Sequence, residues 1–298
     1  MENLYPCPAE FDLASQPAEA SLVTLRSDIT VVTTAAVKYI ETLKDSATEL
    51  ILNICDGAKT APSGAEVNLT VADTRVSVNK RLQELCTPEW KKMEMNGVDV
   101  VEVPKLMYSD LEYLELPKNG CEIEILDISA LEGAMVSGFL KGEPLAKKVL
   151  EELPKQIEAY CNSEIGKEPY LPKCEELCIA QCPPYSQWFR AVLCEHVDGA
   201  GGDTVRVSFV DYGNMESVQV RALRKMLPDF VNGIPALAIN LEIRDFPPEP
   251  SLEMLARAVQ HMKINDEGRG FLTITSCEMI DRGMYVVDAP ALIAAMKG

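Results

Sequence analysis

Phe209-Val210-Asp211-Tyr212-Gly213-Asn214 follows Trp188-Phe189-Arg190-Ala191 by about twenty positions. The stretch gathers two aromatic faces, an aspartate and a carboxamide around one tight turn. Aromatic faces attract soft, delocalised cations, so cation recognition is the chemistry these residue types suit, rather than bond breaking. Alone, Asp-Tyr-Gly-Asn reads first as an ordinary strand-turn-strand. The upstream Trp-Phe-Arg-Ala shifts the reading toward a site.

Composition narrows the classes of function. At 298 residues and 47% hydrophobic content, the chain is long enough for one large or two ordinary domains with a sizeable core. No apolar run approaches a membrane span, and Met1-Glu2-Asn3-Leu4-Tyr5 lacks a secretory pattern. The net charge of −18 disfavours direct nucleic-acid binding and favours a basic partner. Arg221, Arg224 and Lys225 form one small basic group, expected to be a solvated loop edge. Ten cysteines read as reduced thiols. Cys174, Cys178 and Cys182 read as three small buried residues on one strand face rather than a metal cluster. His196 and His261 read as surface residues at a strand end and a helix end. No metal, cofactor or catalytic residue is assigned.

The elements that must position the cluster follow from periodicity. Cys121 to Asp127 alternates as a strand, with Gly133 to Leu140 its hairpin partner. A helix opens at Glu143-Pro144, its apolar face running from Leu145 to Tyr160, with a kink expected at Pro154. Residues 163–172 read as a linker. Short strands then follow: Leu177 to Ala180, Trp188 to Cys194, Val205 to Val210 and Glu216 to Val220, with a Gly-rich hairpin at Asp198 to Asp203. This is the pattern of a small, strongly bent β-barrel. Beyond Pro228 come a strand (Ala236 to Ile243), a helix (Ser251 to Met262), strands at Gly270 to Cys277 and Gly283 to Val287, and a terminal helix (Ala289 to Met296). The N-terminal third repeats this block weakly. Glu10-Phe11 matches Asp229-Phe230, Pro17 to Ala20 matches Pro235 to Ala238, and Val23 to Arg26 matches Leu241 to Arg244. Helix Thr34 to Leu43, strands Glu49 to Cys55 and Glu66 to Val71, and helix Val76 to Leu85 follow.

Trp188 to Ala191, Val205 to Asn214 and Leu223 to Leu227 together resemble the core of a Tudor domain. The flanks resemble the split staphylococcal-nuclease-like lobe of an extended Tudor domain. The resemblance covers roughly residues 105 to 298 and implies an α+β, mainly β fold: a small bent barrel joined to a split OB-type lobe, preceded by a partial α/β repeat of that lobe. The boundaries expected are 1–100 for the partial repeat, 101–165 for the first part of the lobe and the linker helix, 166–228 for the barrel and 229–298 for the rest of the lobe. The family implies a non-catalytic reader of arginine, usually symmetrically dimethylated, in the Arg-rich N-terminal tails of PIWI-type Argonaute proteins. It would act with other granule proteins in piRNA-pathway assembly, in the cytoplasm at a perinuclear germ granule. Carried onto this sequence, Phe189, Phe209 and Tyr212 are cage walls, Asn214 is the carboxamide that bonds the guanidinium, and Asp211 braces the turn.

The fourth wall departs from the family pattern, because Cys182 stands where an aromatic is usual. Either Tyr185 closes the cage, or it stays incomplete and the domain binds unmethylated arginine or serves as a methylation-independent docking module. A nuclease is the remaining reading. Its nearest charged residues, Arg244, Asp245, Asp281 and Arg282, form no recognisable catalytic set.

Overall fold

The computed structural model describes residues 24–25, 29, 32–55, 66–98, 100, 103–183, 185–197 and 203–298. The proposed repeat partners Glu10-Phe11, Pro17 to Ala20, Val23 and Arg26, and most of the Asp198 to Asp203 hairpin, lie outside these residues. The chain divides into two units, 1–88 and 89–298. The division falls before residue 100, the expected boundary, and Trp90 lies in the second unit's core.

In the first unit, β1 (Thr24–Leu25) precedes α1 (Thr34–Asp45), β2 (Leu50–Ile54), β3 (Glu66–Val71) and α2 (Val78–Cys86). Hydroxyls start both helices: Thr33 accepts from the Ala36 N–H and Ser77 from the Lys80 N–H. Val71, Val78, Leu82, Cys86 and Ala36 form the core. β3 pairs parallel with β1 and antiparallel with β2.

The second unit opens with α3 (Glu89–Asn96), an element without a sequence expectation. β4 (Cys121–Asp127) and β5 (Met135–Leu140) form the expected hairpin. The following helix begins with a wide π turn at Lys148–Glu152 and continues as α4 (Leu153–Cys161). Pro154 explains the change. It has no N–H for the ladder and its ring crowds the preceding turn, which widens to make room.

β6 (Leu177–Cys182), β7 (Gln187–His196), β8 (Thr204–Phe209), β9 (Met215–Gln219) and β10 (Leu223–Lys225) form one antiparallel sheet in the order β10-β6-β7-β8-β9. It curls as a half-closed barrel around Ala180, Phe189, Ala191, Leu193, Val207 and Phe209. Alternation along β7 decides the faces: Phe189, Ala191 and Leu193 point into this core, while Trp188 and Val192 point into the larger core shared with α4.

The lobe is completed by β11 (Ile239–Ile243), α5 (Leu252–His261), β12 (Gly270–Ile274), β13 (Ser276–Asp281), β14 (Met284–Asp288) and α6 (Pro290–Lys297). Its six strands run β12-β4-β5-β11-β14-β13. The single strand expected at Gly270 to Cys277 is instead two, broken at Thr275, with the second running on to Asp281. β12 and β13 are separated by that one residue yet stand at opposite ends of the strand order, so the sheet must curl until its edges meet. β14 pairs parallel with β11 and antiparallel with β13, the connectivity of β3 with β1 and β2. Among the described residues, no helix is long and apolar enough to cross a membrane.

Three further expectations are corrected. Cys178 and Cys182 are buried on β6, but Cys174 precedes the strand and is exposed. Lys225 is no solvated edge: it is buried, and its Nζ donates to the Val103 carbonyl at 2.5 Å. Arg224 lies over the Trp188 ring, its guanidinium carbon 4.6 Å from the centroid. His196 and His261 are exposed at the ends of β7 and α5, as expected.

Candidate functional site

The turn between β8 and β9 carries the site. The Tyr212 and Gly213 N–H groups both donate to the Phe209 carbonyl, at 3.1 and 2.7 Å, and the Phe209 N–H donates to Asn214 O at 3.0 Å. Gly213 has φ +84°, and a Cβ there would lie 2.2 Å from Ser137 of β5. Only glycine lets this turn seat against the lobe.

Asp211 braces this seat. It is buried, and its carboxylate takes two hydrogen bonds from buried Arg190, at 2.8 Å from Nε and 2.5 Å from Nη2. The Leu237 N–H adds a third at 3.2 Å. Arg190 also donates to the carbonyls of Phe230, Ile234 and Pro235, at 3.1, 2.6 and 2.8 Å. Every donor of this buried guanidinium therefore has an acceptor. The pair locks the barrel turn to the segment that leads back into the lobe. The family resemblance implied the bracing role of Asp211, while Arg190 carried no expectation.

A pocket of about 390 Å³ lies on the outer side of the turn. The barrel supplies Tyr185, Gln187, Phe189, Tyr212 and Asn214, and the lobe supplies Leu126, Asp127, Ile128, Glu267, Gly268 and Arg269. Phe189 and Tyr212 make its corner, with ring centroids 4.9 Å apart and planes at 68°. Asn214 Nδ2 donates to Glu216 Oε1 at 3.2 Å, which leaves its carbonyl oxygen as an acceptor beside the rings. Burial pushes the Tyr212 phenol up to about 12, with neighbouring Asp211 adding to the shift and Arg269 opposing it. The hydroxyl therefore stays neutral and the ring keeps its quadrupole across the physiological range.

Other expected site residues lie elsewhere. Phe209 is only 1% exposed and does not line the pocket. It packs beneath Phe189, edge to face at 6.0 Å, so it is a support rather than a wall. Cys182 is also in the barrel core, and burial first, then Glu216, pushes its thiol up to about 11. Tyr185 does line the pocket, but at 70% exposure it stands at the rim. Gln187 and the lobe residues were missed by sequence reasoning, because only the curled fold brings 126–128 and 267–269 to Tyr212. Three of the four residues of the nuclease reading have partners at the surface: Arg244 pairs with Asp288 and Glu278, Arg282 donates to the Ser109 carbonyl, and Asp281 accepts from the Arg282 N–H.

Residues 140–245 match the family model for the Tudor domain. The chain contains a Tudor domain. Around it, the barrel and the lobe closed by its two flanks have the layout expected of an extended Tudor domain. Tudor domain-containing protein 1 of Mus musculus is 27% identical over 153 residues, which cover 48% of this chain and 13% of that protein. The Danio rerio protein of the same name is 30% identical over 155 residues, 51% of this chain and 13% of the relative. The chain thus spans about an eighth of the length of these relatives. Among solved structures, extended Tudor domain TD3 of mouse TDRD1, in complex with a MILI peptide containing dimethylarginine, is similar at a TM-score of 0.48 and 19% identity, covering 59% of this chain and 85% of that one.

Proposed function

We propose that this Tudor domain is a non-catalytic reader of arginine in Arg-rich peptides. The observation that carries the reading is the Phe189–Tyr212 corner with the Asn214 carbonyl beside it. Two aromatic faces and one acceptor suit a guanidinium, and suit a methylated one better, because methylation keeps the charge while removing donors. The chain's charge of −18 favours such a peptide at long range. The finer reading is a symmetrically dimethylated tail of a PIWI-type Argonaute, bound for piRNA-pathway assembly in a cytoplasmic germ granule. The first unit would then be a degenerate repeat of the lobe, offering a further docking surface.

The exposed rim position of Tyr185 favours a second reading: the corner has two firm walls, and docking proceeds whether or not the arginine is methylated. Calorimetric titration with symmetrically dimethylated and unmethylated Arg-rich peptides separates the two. Tighter binding of the methylated peptide, lost in Tyr212→Ala, is expected. Equal affinities would select the second reading, and failure of both peptides to bind folded protein would overturn both.

A further inference from the structure

The pocket beside Tyr212 contains a cation from the chain itself. Arg269 stands at the end of the loop between α5 and β12, and its guanidinium carbon lies 5.9 Å from the centroid of the Tyr212 ring. The loop is braced. Asn265 N donates to the Arg269 carbonyl at 2.8 Å, and Asn265 Oδ1 accepts from the N–H groups of Glu267 and Arg269 at 3.0 and 2.9 Å. Arg269 is therefore delivered to the ring by a defined turn.

Its guanidinium is nevertheless poorly satisfied. Arg269 Nη1 is buried and has no hydrogen-bond partner among the described residues. A buried charged donor without an acceptor is costly. Arg190 marks the contrast, since each of its donors is matched. One guanidinium is thus fixed in the fold, and the other sits incompletely bonded on an aromatic face that opens to the pocket.

We propose that Arg269 is the resident cation of the pocket, holding the Tyr212 face in the free protein and competing with any arginine ligand for it. The proposal rests on the arginine-reader function above. A peptide arginine must displace Arg269 from Tyr212 or share the ring with it. Exchanging one bare guanidinium for another gains nothing at the ring. A dimethylated guanidinium carries the same charge with fewer donors to desolvate and two methyl groups to pack against the corner, so it displaces the resident more readily. Displacing Arg269, or sharing the ring against its charge, costs both ligands alike, so the resident lowers the affinity for each and leaves the difference between them intact.

Two measurements on the full chain test this. In the free protein, NMR of the Arg269 side chain should show an upfield ring-current shift that disappears in Tyr212→Leu. In calorimetry, Arg269→Gln should bind an unmethylated and a dimethylated Arg-rich peptide each about two- to fivefold tighter, the equivalent of one exposed cation–π contact. Peptide binding without a ring-current shift, or an Arg269→Gln variant that binds either peptide more weakly or no more tightly, overturns the role of Arg269 and leaves the reader function standing. A ring-current shift with no binding of either peptide to either protein overturns the reader function, and the competitor role of Arg269 falls with it.

Discussion

At the residue scale, neighbours in the sequence divide between holding the turn and facing the pocket. Phe209 and Tyr212 belong to one motif, yet Phe209 is core and Tyr212 is pocket. Phe209→Ala should cost about 3–5 kcal/mol of stability, as large aromatic truncations in a core do. Tyr212→Ala should cost less stability than Phe209→Ala and weaken arginine-peptide binding about tenfold, as loss of a partly desolvated cation–π contact would. Chemical denaturation beside calorimetric titration reads both, and the opposite assignment of effects would refute the division. Asp211→Asn should destabilise by about 3–5 kcal/mol, because it leaves the Arg190 charge buried without its counter-ion. A change of under about 1 kcal/mol, the range of exposed ion pairs, would show that the pair does not lock the turn.

At the scale of elements, the site depends on how the β8–β9 turn meets β5. Gly213 serves this meeting twice, through its φ of +84° and through the space a side chain would take from Ser137. Gly213→Ala should therefore destabilise by more than about 1 kcal/mol. Adding Ser137→Gly should recover the part due to collision and not the part due to backbone strain. Thermal melts of the two variants would show it, and a double variant no more stable than the single one would exclude the clash. The strands themselves were largely legible in the sequence, because period-two alternation records a face. The break at Thr275 was not. Alternation runs through it without Gly or Pro, and only pairing with two different strands separates β12 from β13. Nor was the π turn before Pro154, where the sequence showed a perturbation but not its form.

At the scale of the molecule, every residue of the pocket lies in the unit 89–298. That fragment alone should fold cooperatively and bind the arginine peptide with the affinity of the full chain, within about a factor of two for sites that do not share contacts. Loss of binding in a folded fragment would assign residues 1–88 a direct part in recognition. The net charge of −18 should also appear in the kinetics. Association should slow as salt rises while dissociation changes little, the signature of long-range steering, and stopped-flow measurements at two ionic strengths would reveal it.

By itself, the sequence determined the local elements, the barrel pattern and the residue types of a cation site. Those depend on periodicity, turn chemistry and a motif that is short along the chain. Only the tertiary structure decided which aromatics line the pocket. Whether Phe209 or Tyr212 is buried depends on how far the sheet curls, and that depends on long-range contacts such as Arg190 with the carbonyls of Phe230, Ile234 and Pro235. The same curling carries Arg269 from 57 positions downstream onto the Tyr212 ring, a contact that no spacing along the chain encodes.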